Sequence, residues 1–432
     1  MKNIIKYFLL FLCFINNIFA NEKISLIRDT EIENFLYEIS LPIFKSANLN
    51  PNDIHFYIIN DNNINAFVMG GQNIFVNTGT IIDFDTPDAL LGIIAHETGH
   101  ISGGHLARFN EQIGSMQNIS IGSILLGIGA LIAGVPELGQ AIIYAGLQTQ
   151  QQTILSYTRG QEEMADELAT KYLNENNLSA SALLYSMNKF YIDELSYSNN
   201  MEYYSTHPLS RNRKQFIENK IKNEHYLNDN FNKKYQDKFN FIKYKILAYN
   251  NQIEIKNGNS DYQKYANSII YMKNNNIKKA LSEINDLIKK YKNNPYFYEL
   301  KGDIFLKNNN IKEALINYNI ADNIIQNNTL IKKMIAFIII KYDQQDLYQT
   351  AINNLNYISQ KDTNDNSIFR LLAEVYYKNN ETAMSYLNLS KYYVNLKKYD
   401  KANDYLKLAL KNTSDKKIIN QIDDLRLSIN KE

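Results

Sequence analysis

Apolar and polar residues alternate along residues 54–76, where the stretches INAFVM and QNIFVN flank a glycine pair at residues 70–71. Alternation with a period of two predicts β-strands, and a glycine pair between two such runs predicts a hairpin. The triplet TPD, residues 86–88, then offers a capping hydroxyl, a proline and an acid, which together predict the start of a helix. The segment ALLGIIAHETGHISGGHLARF follows, so the polar stretch AHETGH, residues 95–100, is predicted to lie within an apolar helix.

A second apolar pattern is the membrane-like segment ISIGSILLGIGALIAGV, residues 119–135. Its length is marginal for a membrane span, and its glycines and serines suit close helix packing or an interfacial position. Proline and glutamate at residues 136–137 break it, and the next apolar run, residues 138–147, is too short to return across a bilayer. We interpret residues 114–150 as an apolar hairpin or a membrane-facing insertion, with peripheral membrane contact through residues 119–147.

The C-terminal part carries an internal repeat, because KNNNIKKAL at residues 273–281 recurs as KNNNIKEAL at residues 307–315. The offset of 34 residues is typical of tetratricopeptide repeats. Small and aromatic residues fall at the packing positions of such a repeat around the second copy: Gly302, Phe305, Ala314, Tyr318 and Ala321. Units of this kind bury their apolar faces by stacking, so residues 256–430 are predicted to form an all-α solenoid with a concave binding surface. The boundary is expected near residues 245 to 260.

Residues 1–20 have the pattern of an export signal, with lysines, a short apolar run and the small residue Ala20 before a polar stretch. We predict cleavage after Ala20 and a periplasmic location, with outer-membrane association left open; an uncleaved anchor is the alternative. Cys13 is the one cysteine, and Leu12 before it disfavours lipidation. Because Cys13 lies within the predicted export signal, the mature chain is predicted to have no cysteine and therefore no disulfide. Lys+Arg 46 against Asp+Glu 45 is not the basic excess of a nucleic-acid binder.

The stretch AHETGH carries the candidate chemistry. His96 and His100 are four residues apart, so on a helix their side chains point the same way, about 40° apart around the axis. Two imidazoles in this arrangement can bind one zinc ion, and Glu97 on the flank can reach a water at the metal. Histidines and a glutamate within an apolar helix are costly unless they have such partners.

A zinc hydrolase needs a third protein ligand. One arrangement of zinc proteases places a third histidine ligand ten residues after the first. This chain has Leu106 at that position, so it does not have that arrangement. On a continuing helix His105 points about 180° away from the first histidine, so we interpret it as a supporting or surface residue. A glutamate on a later helix is the alternative. The segment TRGQEEMADELATKYL offers Glu162 and Asp166 on one helical face, with Ala165 permitting close approach.

Three motifs, HETGH at 96–100, EEMAD at 162–166 and THPL at 206–209, together resemble the M48 zinc metallopeptidases. With the export signal and the C-terminal repeats, the chain is similar to periplasmic members of that family. The resemblance implies an α+β fold, with a mostly helical zincin-type (gluzincin) catalytic domain over residues 21–250 followed by the tetratricopeptide solenoid.

The resemblance also implies roles for individual residues. His96, His100 and Glu162 match the family's ligands to one zinc ion per subunit, and Glu97 matches its catalytic glutamate. Glu163 beside Glu162 leaves two candidate carboxylates, and the register against the following acid favours Glu162.

The remaining matches surround this set. Asp166 is expected to orient a ligating histidine. His207 is expected to be a fourth zinc ligand or a stabiliser of the oxyanion, and Arg213 is expected nearby, offsetting charge on the substrate carbonyl. The segment Asn65, Ala66 and Phe67 resembles the family's edge strand, which would bind an extended substrate by strand pairing.

The function that this resemblance implies is zinc-dependent endopeptidase activity on unfolded, misfolded or misassembled outer-membrane proteins, accompanied by chaperone activity. The repeats would engage substrate or the outer-membrane assembly machinery, and no nucleic-acid partner is expected. The alternative is a tetratricopeptide chaperone or scaffold with an autoinhibited peptidase domain.

Overall fold

The computed structural model describes residues 25–69, 71–105, 158–196, 207, 211–222, 224–256, 260–326, 328–361 and 365–429. The predicted export signal, residues 1–20, and the predicted apolar insertion, residues 114–150, lie outside the described residues. In the part of the chain that is described, no helix combines the length and apolar character needed to cross a bilayer.

A four-stranded sheet lies near the N-terminus. Its strands are β1 (Ser25–Ile27), β2 (His55–Asn60), β3 (Ala66–Met69) and β4 (Asn73–Asn77), in the order β1-β2-β4-β3. Strand β3 pairs antiparallel with β4, which confirms the predicted hairpin around residues 70–71. Strand β4 also pairs parallel with β2. Strand β3 is therefore one of the two outer strands of the described sheet, with β1 at the opposite edge.

Helices pack around this sheet and around one central helix. They are α1 (Thr30–Ser46), α2 (Thr78–Asp83), α3 (Pro87–Ser102), α4 (Arg159–Glu175), α5 (Ser181–Ser196), α6 (Arg211–Ile221) and α7 (Asp229–Tyr249). Helix α3 contacts α1, α4, α5, α7 and β3, and every residue from Pro87 to His100 is buried. The predicted start of this helix is confirmed, although the Thr86 side chain makes no capping bond.

The second half is entirely helical where it is described, apart from turns and a short 3-10 segment at Gln345–Leu347. Its helices are α8 (Asp261–Lys273), α9 (Ile277–Lys290), α10 (Pro295–Lys307), α11 (Ile311–Ile325), α12 (Thr329–Lys341), α13 (Tyr348–Lys361), α14 (Ser367–Lys378), α15 (Thr382–Asn395), α16 (Tyr399–Lys411) and α17 (Lys416–Ile429). Consecutive helices pack against each other along the series. The predicted mostly helical chain with a small sheet and a helical C-terminal region is confirmed at this level.

The two copies of the repeated segment build the same turn. Asn275 and Asn309 adopt positive φ, 59° and 54°, a region that asparagine tolerates better than most residues. The next residues, Asn276 and Asn310, each accept a hydrogen bond from a backbone N–H in the first turn of the following helix. The asparagine triplets thus end one helix and begin the next.

Close packing within a helix pair also follows the repeat pattern. A Cβ placed on Gly302 of α10 would lie 3.0 Å from the ring of Tyr318 on α11. Tyr318 itself is 1 % exposed. The small residue at this position therefore allows the aromatic ring of the partner helix to fill the gap.

Helix α7 joins the two halves. Phe239 and Ile242 belong to the core of the first half, whereas Phe241 and Ala248 belong to a core formed with the repeats. Opposite faces of one continuous helix are therefore buried in two cores. The predicted boundary near residues 245 to 260 begins inside this helix, before the loop that follows Tyr249.

A buried ionic cluster adds to this junction. Lys245 Nζ lies 2.7 Å from Asp29 Oδ2 and 3.2 Å from Glu31 Oε2. Tyr265, on the first repeat helix, donates a hydrogen bond of 2.9 Å to Glu31 Oε2. Burial raises the pKa of Glu31, and the adjacent ammonium opposes that rise. Residues from α1, α7 and α8 are thus held together by charge as well as by packing.

Glu299 on α10 faces the same cluster and makes the junction sensitive to pH. It accepts a hydrogen bond of 2.9 Å from the Thr30 hydroxyl, and burial raises its pKa to about 8. The unfolded chain releases this proton near the ordinary carboxyl pKa, whereas the folded chain keeps it until the pH approaches 8. The free energy of unfolding therefore falls as the pH rises through this window.

We expect Glu299→Gln to raise the midpoint of thermal unfolding by a few degrees at about pH 9 and to leave it nearly unchanged at about pH 5. The glutamine amide oxygen can still accept the hydrogen bond from the Thr30 hydroxyl, but the side chain has no charge that must be buried at high pH. Scanning calorimetry at the two pH values measures the effect, with Glu374→Gln on an exposed carboxylate as the matched control. Equal midpoints for wild type and Glu299→Gln at both pH values would contradict this account.

Candidate metal centre

Four side chains that can ligate a metal ion meet in the core of the first half. His96 and His100 come from α3, Glu162 comes from α4, and His207 comes from the segment between α5 and α6. Their ligand atoms all lie within 4.8 Å of one another, and all four side chains are buried. The predicted metal ligands are thus brought together, with His207 beside them.

The close crossing of α3 and α4 makes this meeting possible. A Cβ placed on Gly99 would lie 2.7 Å from the backbone oxygen of Ala165. Any side chain at residue 99 would push the two helices apart and draw Glu162 away from the histidines. The expectation that Ala165 permits close approach is confirmed, and Gly99 is its partner.

The spacing of the donor atoms tests whether a zinc ion fits. His96 Nε2 lies 3.1 Å from His100 Nε2. Glu162 Oε1 lies 3.3 Å from His100 Nε2, and Glu162 Oε2 lies 3.4 Å from His96 Nε2. Ligands about 2.0 to 2.1 Å from a tetrahedral zinc ion are separated from each other by about 3.3 Å. Two neutral imidazoles and one carboxylate at these distances therefore fit zinc in both geometry and donor type.

A carboxylate and a guanidinium hold the ligands from behind. Asp166 Oδ1 lies 2.9 Å from His96 Nδ1, so the proton of this imidazole sits away from the metal position. Arg213 donates from Nε and Nη2 to Asp166, at 2.6 and 2.9 Å, and its Nη1 lies 2.5 Å from Glu162 Oε2. We expected Arg213 to offset charge on a substrate carbonyl, but three of its nitrogens contact these carboxylates and position the ligands.

Burial and local charge oppose each other at these groups. Burial lowers the pKa of His96, but Asp166 and Glu162 outweigh this and raise it to about 10. Burial holds the pKa of His100 well below its ordinary value. For Glu162, burial opposes ionisation, but the neighbouring histidines hold its pKa well below the ordinary range. For Asp166, the contacts with Arg213 and His96 likewise outweigh burial and lower the pKa. Both carboxylates are therefore ionised at neutral pH, as metal binding requires.

The choice between adjacent glutamates is now decided by burial. Glu162 is fully buried at the cluster, whereas Glu163 is exposed on the outer face of α4. Register on the helix explains the difference, because Glu162 shares a face with Asp166 and its neighbour points about 100° away.

Glu97 lies on α3 between the two histidine ligands and is fully buried. Burial raises the pKa of its carboxyl group, while His207 and His96 oppose the rise. The backbone N–H of Val68, on the outer strand β3, is close enough to stabilise its charge. A carboxylate with a raised pKa beside a metal position is suited to accept a proton from water. Val68 was not singled out from the sequence, because a backbone group carries no sequence signal.

His207 lies over the metal position. Its Nδ1 is 3.0 Å from Glu162 Oε1 and 3.4 Å from His96 Nε2, and its Nε2 is 3.5 Å from Glu97 Oε1. These are the distances of a fourth donor in the same group. Thr206 and Pro208, on either side of it in the sequence motif, lie outside the described residues.

Comparison with known proteins agrees with this geometry. Residues 28–221 match peptidase family M48, and this range includes every residue of the cluster. The chain carries an M48 peptidase domain. Metallopeptidases of this family are zinc-dependent, and the buried group of His96, His100, Glu162 and His207 could hold such a metal ion.

Three relatives match part of the chain. The beta-barrel assembly-enhancing proteases of Yersinia pestis and Escherichia coli (strain K12) are 28% identical over 192 and 193 residues, each covering 44% of this chain and 38% of the relative. Metalloprotease LoiP of Escherichia coli is 25% identical over 176 residues, covering 40% of this chain and 65% of that protein. The match to the first two relatives thus spans less than two fifths of their length.

We expect Asp166→Asn to weaken zinc binding by about 10- to 100-fold. The amide lacks the negative charge that orients His96, and its NH2 group would face the N–H groups of Arg213, which also donate hydrogen bonds. Competition with a chromophoric chelator measures the dissociation constant. Glu163→Gln, which removes an exposed carboxylate from the same helix, is the matched control and should bind zinc like wild type. An unchanged affinity in Asp166→Asn would show that the carboxylate does not support the ligand.

Proposed function

We propose that the protein is a zinc-dependent endopeptidase. The observation that carries the proposal is the buried group of His96, His100 and Glu162 with Glu97 on the same helix, at distances that fit one zinc ion. Zinc, when bound, polarises a carbonyl group and makes a water molecule easier to deprotonate. Glu97 accepts the proton at its carboxylate as water attacks the peptide carbonyl, and then returns it to the leaving amine.

The outer strand β3 is proposed to bind the substrate. Ala66 and Phe67 are largely buried, and the Phe67 ring stacks on Phe75 at a centroid distance of 5.0 Å. The backbone of Asn65 is already bonded to Thr80 and so lies beyond the usable edge. We therefore propose that the main chain of residues 66–69 binds the substrate by strand pairing, which accepts extended segments with little sequence preference. Because helix α3, which carries Glu97, contacts β3, a peptide paired with this strand would lie near that carboxylate.

The proposed substrates are misfolded or misassembled outer-membrane proteins in the periplasm. Two features support this: the predicted export signal over residues 1–20, and the similarity of the M48 domain to relatives named beta-barrel assembly-enhancing proteases. Peripheral membrane contact through residues 119–147 belongs to the same proposal. An unfolded outer-membrane chain is an extended, apolar-rich substrate, which suits strand pairing.

The helical second half is proposed to be a tetratricopeptide repeat domain that engages substrate or the outer-membrane assembly machinery. Two observations support it: the identical turns built by the two asparagine triplets, 34 residues apart, and the seating of Tyr318 against Gly302. Binding by this half is the basis of the proposed chaperone activity. Helix α7 and Lys245 link this half to the M48 domain.

A second candidate function is that of a chaperone or scaffold whose peptidase domain is held inactive. The position of His207 favours it, because its Nδ1 occupies the place next to Glu162 and His96 that water or a carbonyl oxygen would need. A catalytic zinc site keeps such a position open. The intact Glu97 argues that this inhibition is reversible.

The first test compares wild type with Glu97→Gln for zinc content and for cleavage of an unfolded outer-membrane barrel protein. We expect equal zinc and at least about 100-fold slower cleavage in the variant, because only the proton acceptor is removed. Glu163→Gln should cleave like wild type. Equal, near-zero cleavage by wild type and Glu97→Gln, with substrate still bound, would favour the chaperone instead.

The second test replaces His207. If this imidazole closes the site, His207→Ala should cleave the same substrate several-fold faster than wild type, since a position beside Glu162 is opened. If it instead stabilises the oxyanion, cleavage should fall by about 100-fold or more. Our expectation from the distances is the increase. A fall in rate with unchanged zinc content would overturn it.

A further inference from the structure

His105 lies where a continuing helix would not have placed it. Helix α3 ends at Ser102, Gly103 caps it, and Gly104 adopts a positive φ of 66° that most side chains avoid. This reverses the chain within two residues and turns His105 back toward the metal centre. Its side chain is completely buried, and its Nδ1 lies 3.0 Å from Nδ1 of His100.

Only one arrangement of protons satisfies this contact when a metal is bound. His100 presents Nε2 to the ligand group, so its ring proton must be on Nδ1. That proton is donated to His105 Nδ1, which must therefore offer a lone pair. His105 then carries its own proton on Nε2, which lies 3.5 Å from Met164 Sδ on α4. The chain His100–His105–Met164 thus sets the tautomer of both imidazoles.

The turn is shaped around this ring. A Cβ placed on Gly103 would lie 2.7 Å from His105 Nε2 and 3.0 Å from its Cε1. An alanine at residue 103 would therefore displace the imidazole, although φ there is an ordinary helical value of −72°. The two glycines have different uses, since Gly104 reverses the chain and Gly103 leaves room for the ring.

We propose that His105 is a positioning residue: by accepting the Nδ1 proton of His100 it holds that imidazole in the orientation and tautomer that bind zinc. Each histidine ligand then has its own support, because Asp166 supports His96 in the same way from α4. A carboxylate and a neutral imidazole differ in charge, so the two supports raise ligand basicity unequally. The inference rests on the proposed zinc site but not on peptide hydrolysis.

The test distinguishes two roles of His105: a hydrogen-bond acceptor for His100, or a ring that only fills space in the core. His105→Asn keeps an acceptor atom near the position of Nδ1, whereas His105→Leu fills similar space without one. We expect the leucine variant to bind zinc about 10- to 100-fold more weakly than wild type, and the asparagine variant to recover most of the affinity. Affinity is measured in the full chain by chelator competition. The thermal midpoint of the zinc-free protein reports folding separately.

Two further measurements sharpen the result. Cobalt substituted for zinc should give an altered visible absorption spectrum in His105→Leu and a spectrum like wild type in His105→Asn, since the orientation of His100 changes only in the former. Gly103→Ala should weaken zinc binding in the same direction without touching any ligand. Glu163→Gln, which removes an exposed carboxylate from α4, is the control expected to bind like wild type.

The outcomes are distinct. Wild-type affinity in His105→Leu, or equal losses in His105→Leu and His105→Asn with equal zinc-free midpoints, would overturn the role of the acceptor. A wild-type protein that binds no stoichiometric zinc or cobalt would instead refute the zinc site on which the proposal rests. Loss of affinity in the leucine variant with recovery in the asparagine variant supports the proposal.

Discussion

The contact of Arg213 with Glu162 and Asp166 holds the centre of the first half together. Two carboxylates inside a protein core are costly unless they are paired, and one guanidinium reaches both of them here. One acid faces the ligand group directly, and the other orients His96. A bound metal ion would add positive charge beside the same two carboxylates. The ion pair therefore explains why a polar cluster persists between apolar helices, and why α6 must dock against α4.

Rigid packing brings these groups to the distances that a metal needs. Helix α3 is buried along almost its whole length, so His96, Glu97 and His100 cannot be presented by a mobile loop. The Gly99–Ala165 crossing sets how deeply Glu162 enters. On the other side, the backbone of the outer strand β3 reaches Glu97. Catalytic carboxylate, ligands and proposed substrate strand are thus held by one core, and His207 is the group that lies between Glu97 and the ligands.

Buried charges are also paired at the junction of the two halves. Lys245 is buried between Asp29 and Glu31, and Tyr265 from the repeats completes the hydrogen bonding. Since α7 contributes to both cores, movement of the repeats would disturb packing against α3 as well. Burial of Glu299 at this junction makes the stability of the junction depend on pH.

Much of the centre was determined by short-range pattern. The spacing of His96 and His100 on an apolar helix, the shared face of Glu162 and Asp166, and the 34-residue repeat are periodicities that a chain displays without being folded. Only the tertiary structure decided how groups far apart in sequence meet. It placed Arg213 on carboxylates instead of facing a substrate, and it brought His105 back to His100, because the helix that would have carried it away ends at Ser102 and Gly104 turns the chain. Periodicity describes one element at a time, whereas ligand support depends on where an element stops and what packs behind it.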